Sequence, residues 1–176
     1  MELDPIGSTA AGAKTVKTIQ LTKGKVAQVD DGDYLTLSAH KWCVLKTKYG
    51  LWYAKRRKGK LTVYMHCEIL GKKGVDHEDG NGLNNQRYNL REANSEQNNR
   101  NRNKFFTKKP ATSLYKGVCK KGSKWVVQIS VDKKPFHVGY FSTEIEAAKA
   151  YDAAAIEHYG KFAKLNFPEE KICEKV

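Results

Sequence analysis

Apolar and polar positions change rhythm three times along this chain. Between Thr18 and Tyr64, short β-type runs recur: Ile19-Gln20-Leu21, Val26-Ala27-Gln28-Val29, Trp42-Cys43-Val44-Leu45, Leu51-Trp52-Tyr53-Ala54 and Leu61-Thr62-Val63-Tyr64. They alternate with turn chemistry at Lys23-Gly24-Lys25, Asp30-Asp31-Gly32-Asp33, Tyr49-Gly50 and the basic run Lys55-Arg56-Arg57-Lys58-Gly59-Lys60. Val75 to Arg102 then reads as a strand, a polar loop, a short strand at Asn89-Leu90-Arg91 and a helix opening near Asn94. Asn94 and Gln97 stand in capping-box register. From Lys124 to Val131 the alternation is clean, with Trp125, Val127, Ile129 and Val131 on one side and Lys124, Gln128 and Ser130 on the other; Val126 is the apolar exception. Phe136, Val138 and Tyr140 are expected to extend the apolar face on the next strand, with His137 opposite. An alanine-rich helix follows from the Thr143/Glu146 capping box to Gly160. Its small residues allow close approach to a sheet whose other, polar face stays free.

These segments predict an α+β protein. It comprises a tag-like or disordered 1–14, a small β-rich N-terminal module at 15–64 and a strand–strand–helix unit at 65–103. After a linker at 104–112 come a three-stranded antiparallel sheet packed on one helix at 113–168, and a tail at 169–176. The linker, containing Lys108-Lys109-Pro110, is polar and has no apolar period.

Charge sharpens the picture. Thirty-two Lys and Arg against nineteen Asp and Glu give a formal net charge of +13, which favours a polyanionic partner. The excess is concentrated: Arg100 to Lys134 holds eleven basic residues, Arg100 and Arg102 among them, and one acid, Asp132. That region is expected to lie against phosphates. Cys43, Cys67, Cys119 and Cys173 form no zinc-type spacing and read as reduced thiols. No apolar run approaches the roughly 20 residues of a membrane span, so the expectation is a soluble protein.

The richest chemistry lies between Val75 and Asn98. Asp76 is a hard oxygen ligand, His77 a base that works near neutral pH, and Asn81, Asn84, Asn85, Asn89 and Asn98 supply amides. The order Val75-Asp76-His77, Gly80-Asn81, Leu83-Asn84-Asn85, Asn89-Leu90 and Asn98 resembles the phage and intron-encoded branch of the HNH endonucleases, over roughly Met65 to Arg102. That resemblance implies a ββα-metal nuclease motif in which Asp76 and Asn98 hold one divalent ion, magnesium or manganese. His77 would be the general base and Asn89 the brace of the loop that orients it. His66 stands where this branch usually has a further histidine.

A second resemblance covers Ser113 to Pro168. Tyr115-Lys116-Gly117-Val118, Lys124-Trp125-Val126-Val127-Gln128-Ile129, Val138-Gly139-Tyr140-Phe141, Glu146 to Ala155 and Leu165-Asn166-Phe167-Pro168 are similar to the ethylene-response-factor (APETALA-type) DNA-binding domain. The family reads the major groove with a three-stranded sheet. Its plant members place Arg at the positions of Lys116, Cys119, Lys121 and Ser130, Glu at Gln128 and Trp at His137, so DNA binding carries over while the plant target sequence does not. On this reading Lys116, Lys120, Lys121 and Lys124 contact phosphates, and Gln128, Ser130 and His137 approach base edges.

Together the two resemblances imply a metal-dependent, homing-type HNH endonuclease with a separate recognition domain, acting on double-stranded DNA as a monomer or homodimer. It would have no obligate protein partner and would work in the cytoplasm of a bacterial or phage-infected cell. The competing reading is a non-cleaving DNA-binding regulator that keeps a degenerate nuclease fold.

Overall fold

The computed structural model describes residues 15–102 and 112–168. The expected disordered N-terminus, all but the last residue of the linker, and the C-terminal tail lie outside the described residues.

The architecture is α+β, built from antiparallel sheets and short helices. β1 (Val16–Gln20) and β2 (Val26–Asp30) form a hairpin. Helix α1 (Asp31–Ser38) follows, then the sheet of β3 (Cys43–Lys46), β4 (Trp52–Lys58) and β5 (Leu61–Tyr64), with β4 in the middle. Helix α2 (Met65–Leu70) leads into β6 (Val75–His77), which pairs with β7 (Leu90–Glu92) ahead of α3 (Ser95–Arg100). The capping box at Asn94 and Gln97 is formed.

Two expectations fail in the first half, each for a local reason. Asp30-Asp31-Gly32-Asp33 carries turn chemistry, yet Asp and Gly are also N-terminal helix residues, and Asp31 and Asp33 lie in the first turn of α1. The helix is fixed by burial of Leu37, whose carbonyl accepts a 2.8 Å hydrogen bond from Trp42 Nε1. The basic run carries turn chemistry, but Lys55 to Lys58 are strand; the turn is confined to Gly59-Lys60.

One hydrophobic core joins Ile19, Val29, Leu37, Trp42, Ala54, Met65, Val75 and Leu90. It runs without a break across the division expected between residues 64 and 65. Polar ties reinforce it: the Asp30 carboxylate accepts from Arg87 N–H at 2.8 Å, and Arg87 pairs with Asp33 at 2.7 Å. The Asn81–Asn85 loop packs against β4 at Gly82, where a Cβ would stand 2.3 Å from the Trp52 carbonyl oxygen.

The second core belongs to the C-terminal unit. β8 (Val118–Lys121), β9 (Lys124–Val131) and β10 (Lys134–Phe141) form a sheet with β9 central, packed on α4 (Glu144–Tyr159). Val118, Val127 and Ile129 meet Ala147, Ala148, Tyr151, Ala154 and Ala155. The alanines let the helix lie close to the strands, and the Thr143/Glu146 capping box starts it. Gly117, at φ 74°, gives Tyr151 its place; a Cβ there would fall 2.0 Å from the ring. Asp152 accepts hydrogen bonds from the Asn166 and Phe167 backbone at 2.8 Å, fastening the end of the unit to its helix.

Candidate nucleic-acid interface and central cleft

The face of the C-terminal sheet turned away from α4 follows from register. Lys121 pairs with Lys124, Cys119 with Val126, Gln128 with His137 and Ser130 with Pro135. Paired residues share a face, so Lys121, Lys124, Gln128, Ser130 and His137 stand together, all exposed. Val126, the apolar exception, sits among them and is buried at 4% exposure.

A β-bulge corrects the expectation for the third strand. The register slips between His137 and Gly139, so Gly139 opposes Val127 and Tyr140 opposes Val126. Strict alternation would have kept Phe136, Val138 and Tyr140 on one face. The extra residue turns Tyr140 to the His137 side, with ring centroids 4.7 Å apart and Tyr140 54% exposed. Tyr140 therefore joins the polar face. A bulge leaves no mark in the apolar pattern except Gly139, a residue often found at such irregularities.

The other basic candidates go elsewhere. Lys120 pairs with Trp125 on the opposite face, its ammonium 5.4 Å from the indole. Lys116 turns inward: its ammonium donates to the carbonyls of Arg100 and Arg102 at the end of α3, and burial pushes its pKa down to about 8. Arg100 pairs with Glu96 at 2.8 Å and lies over the Tyr159 ring at 4.6 Å. Arg102 donates to Asn99 Oδ1 and stacks on Tyr49. Lys116 and Arg100 thus join the two units instead of lining the sheet face.

Asp76, His77 and Asn98 line one cavity of about 360 Å³, together with Tyr53, Tyr64 and His66. Its floor is β6, one wall is the β3–β5 sheet, and the other is α3. Asp76 is 5% exposed, and its Oδ2 accepts from Arg91 Nε at 3.1 Å, Arg91 Nη2 at 3.0 Å and Asn101 Nδ2 at 2.9 Å. Burial pushes this carboxyl up, while Arg91 and Asn101 pull it back. The residue from this segment bonded to Asp76 is Asn101, the C-cap of α3 three positions beyond Asn98; Asn101 also donates to the His77 and Glu78 carbonyls. Asn98 lines the cavity from α3.

His77 is 4% exposed, its Nε2 3.2 Å from Asn85 Oδ1, and burial lowers its pKa. His66 lies against it with ring centroids 4.8 Å apart; burial first, and His77 second, push its pKa down to about 3. In both imidazoles burial favours the neutral form. Asn89 sits one step away: its Nδ2 donates to Asp79 Oδ1 and the Asn84 carbonyl, and its Oδ1 accepts from Asp79 N–H. It braces the Asp79–Asn84 loop.

As a divalent-ion site this donor set fits poorly. Hard cations need several oxygen ligands with open positions. The one carboxylate here already neutralises a guanidinium and has Oδ2 saturated, and among the described residues no group of three His, Cys, Asp or Glu is placed to hold a metal. Arg91 is the residue the sequence reading missed. The signal was present in the two short strands, since pairing Val75-Asp76-His77 with Leu90-Arg91-Glu92 puts Arg91 directly opposite Asp76.

No family model matches the chain. Three curated relatives, all from Arabidopsis thaliana, do match parts of it. An ethylene-responsive transcription factor-like protein is 43% identical over 61 residues, which is 35% of this chain and 26% of the relative. An ethylene-responsive transcription factor is 48% identical over 59 residues, 31% of this chain and 32% of the relative. A dehydration-responsive element-binding protein is 44% identical over 57 residues, 27% and 23% of the two chains. The chain thus spans between about a quarter and a third of the length of these relatives.

The likeness to ethylene-response-factor-type proteins is therefore shown, over part of the chain. The expectation of an HNH endonuclease is corrected: these relatives are named as transcription factors or as an element-binding protein, and none as a nuclease or other enzyme. The hydrolase assignment and the phage setting fall with it, and the bacterial cytoplasm finds no support in plant relatives. Among the described residues no helix is long and apolar enough to cross a membrane.

Proposed function

We propose that this chain is a non-cleaving, DNA-binding transcriptional regulator that reads the major groove of duplex DNA with the outward face of β8–β9–β10. The observation that carries this reading is the separation of the two sheet faces. Every large apolar side chain of β9 except Val126 packs toward α4, while Lys121, Lys124, Gln128, Ser130, His137 and Tyr140 stand exposed on the far side. A twisted β-ribbon fits the major groove. Lys121 and Lys124 supply phosphate contacts at the β8–β9 turn. Gln128 at the centre can pair bidentately with adenine, and His137 and Ser130 flank it.

The central cleft supports the non-cleaving part of the proposal. Arg91 and Asn101 hold Asp76, and Asn85 Oδ1 lies against His77 Nε2, so the carboxylate and this imidazole are engaged, while His66 Nδ1 and Asn85 Nδ2 are buried without a partner among the described residues. Its role here is to carry the recognition sheet: Lys116 caps the end of α3, and Arg91 Nη1 donates to the Lys161 carbonyl at 2.6 Å while its guanidinium lies 4.4 Å from the Phe162 ring.

The test is incubation of supercoiled plasmid with the protein and magnesium, beside a gel shift on the same DNA. The expected result is a shift with the plasmid left supercoiled. Conversion to open-circle or linear DNA that a chelator prevents would overturn the proposal.

A further inference from the structure

We infer that the β4–β5 hairpin is a second, separate contact surface for duplex DNA, carried by Lys55, Arg57, Lys58 and Lys60; this rests on the DNA-binding reading above. Five of the seven residues Lys55 to Leu61 are basic. Among the described residues, Arg56 alone of these five is held in an ion pair, with Glu68 through both carboxylate oxygens, and it covers Trp42 at 5.5 Å. Lys58 lies near enough to Glu68 to add to its field, and Lys55, Arg57 and Lys60 take part in no ion pair among the described residues. Arg57, Lys58 and Lys60 are exposed.

Protection of a sheet edge does not account for all of these charges. Edge strands are often blunted with lysine, and Arg57 and Lys58 lie where β4 has run past the end of β3, but Lys55 is paired on both sides, with Cys43 and Tyr64, Lys60 is in the turn, and the edge strand β5, Leu61-Thr62-Val63-Tyr64, carries no charge. Like charges so close repel one another, and a polyanion relieves that repulsion. The faces also matter. Lys55 pairs with Tyr64 and Arg57 with Thr62, on the same side of the sheet as Tyr53, so these two continue the tyrosine-lined wall of the central cleft, while Lys58, at the strand end on the Arg56 side, and Lys60 in the turn extend the cations over the hairpin tip. A phosphate backbone suits such a row of cations interrupted by aromatic rings.

The experiment uses the full chain and a fluorescently labelled duplex of about 40 base pairs, with affinity measured by anisotropy across a salt series; each phosphate contact contributes about 0.9 to the slope of log K against log salt. Lys55→Ala/Arg57→Ala/Lys58→Ala/Lys60→Ala is expected to lower the slope by about 3 to 4. The milder Lys58→Glu/Lys60→Glu, at the exposed tip where folding is not at stake, is expected to weaken binding at least tenfold at low salt. Unchanged slope and affinity in both variants would overturn the inference, as would loss of binding to an acidic peptide without loss of binding to DNA. A wild-type chain that fails to bind the duplex at all would instead overturn the reading on which the inference rests.

Discussion

The central cleft and the outward face of the C-terminal sheet are both rich in polar residues, and they do opposite things with them. In the cleft, Asp76, His77, Asn85, Asn89 and Asn101 are 5%, 4%, 0%, 2% and 4% exposed and each makes a hydrogen bond to another of them, to a neighbouring side chain or to backbone, with Asn85 Nδ2 and the nearby His66 Nδ1 left without a partner among the described residues. On the sheet, Lys121, Lys124, Gln128, Ser130 and His137 are exposed, backed by a dry core. Buried polar groups must find partners inside the fold because water cannot supply them. A surface that is to read a ligand leaves those partners unmade. The comparison teaches that residue types suited to chemistry do not identify a site until it is known whether the fold has already used their valences.

The sharpest way to break the comparison is to remove one partner in the cleft. Arg91→Ala leaves the Asp76 carboxylate buried without its cation, a loss of about 3–5 kcal/mol for a pair of this kind. Urea denaturation measures it, and a loss under 1 kcal/mol would mean that the cleft is not held by this pair.

Acid should act on the same region. His66 has a pKa near 3 in the folded protein against 6.5 for the free side chain. Between these values the unfolded chain binds the extra proton, so stability present above pH 6.5 is lost as pH falls toward 3. Thermal midpoints measured across this range should drop, and His66→Phe should flatten the dependence.

The sheet should behave inversely. Gln128→Ala or His137→Ala is expected to weaken binding to a preferred duplex by about 1–3 kcal/mol, read by gel shift, while the unfolding midpoint stays put. A large loss of stability in either would show that the face is structural.

The smallest effects discriminate most finely. Lys121→Ala should reduce the salt slope of binding by about 0.9, whereas Lys120→Ala, one residue away on the opposite face, should leave it unchanged. Equal slopes for the two variants would contradict the register that separates them.

Much of the local structure was legible. The two capping boxes, the β9 alternation and the alanine-rich α4 follow from short-range physics, and each stands where the pattern put it. Failures occurred where one residue type serves two purposes. Asp31-Gly32-Asp33 suits a turn and a helix start, and the charges of Lys55 to Lys58 suit a loop and a solvated strand. Tyr140 was misplaced because a bulge adds a residue without changing the composition around it.

The amino-acid order by itself determined many of the elements, the basic character and the likeness to ethylene-response-factor-type proteins over part of the chain, because these depend on periodicity, net charge, local capping and residue order. Tertiary structure alone decided which polar groups are spent. Whether Asp76 is left as a ligand or held by Arg91 and whether Lys116 meets DNA or caps α3 depend on what another segment places within hydrogen-bonding range, and the face Tyr140 takes depends on the bulge in the β9–β10 register. Apart from the strand pairing that sets Arg91 opposite Asp76, spacing along the chain carries little record of those encounters, since folding sets the distances that hydrogen bonds and ion pairs require.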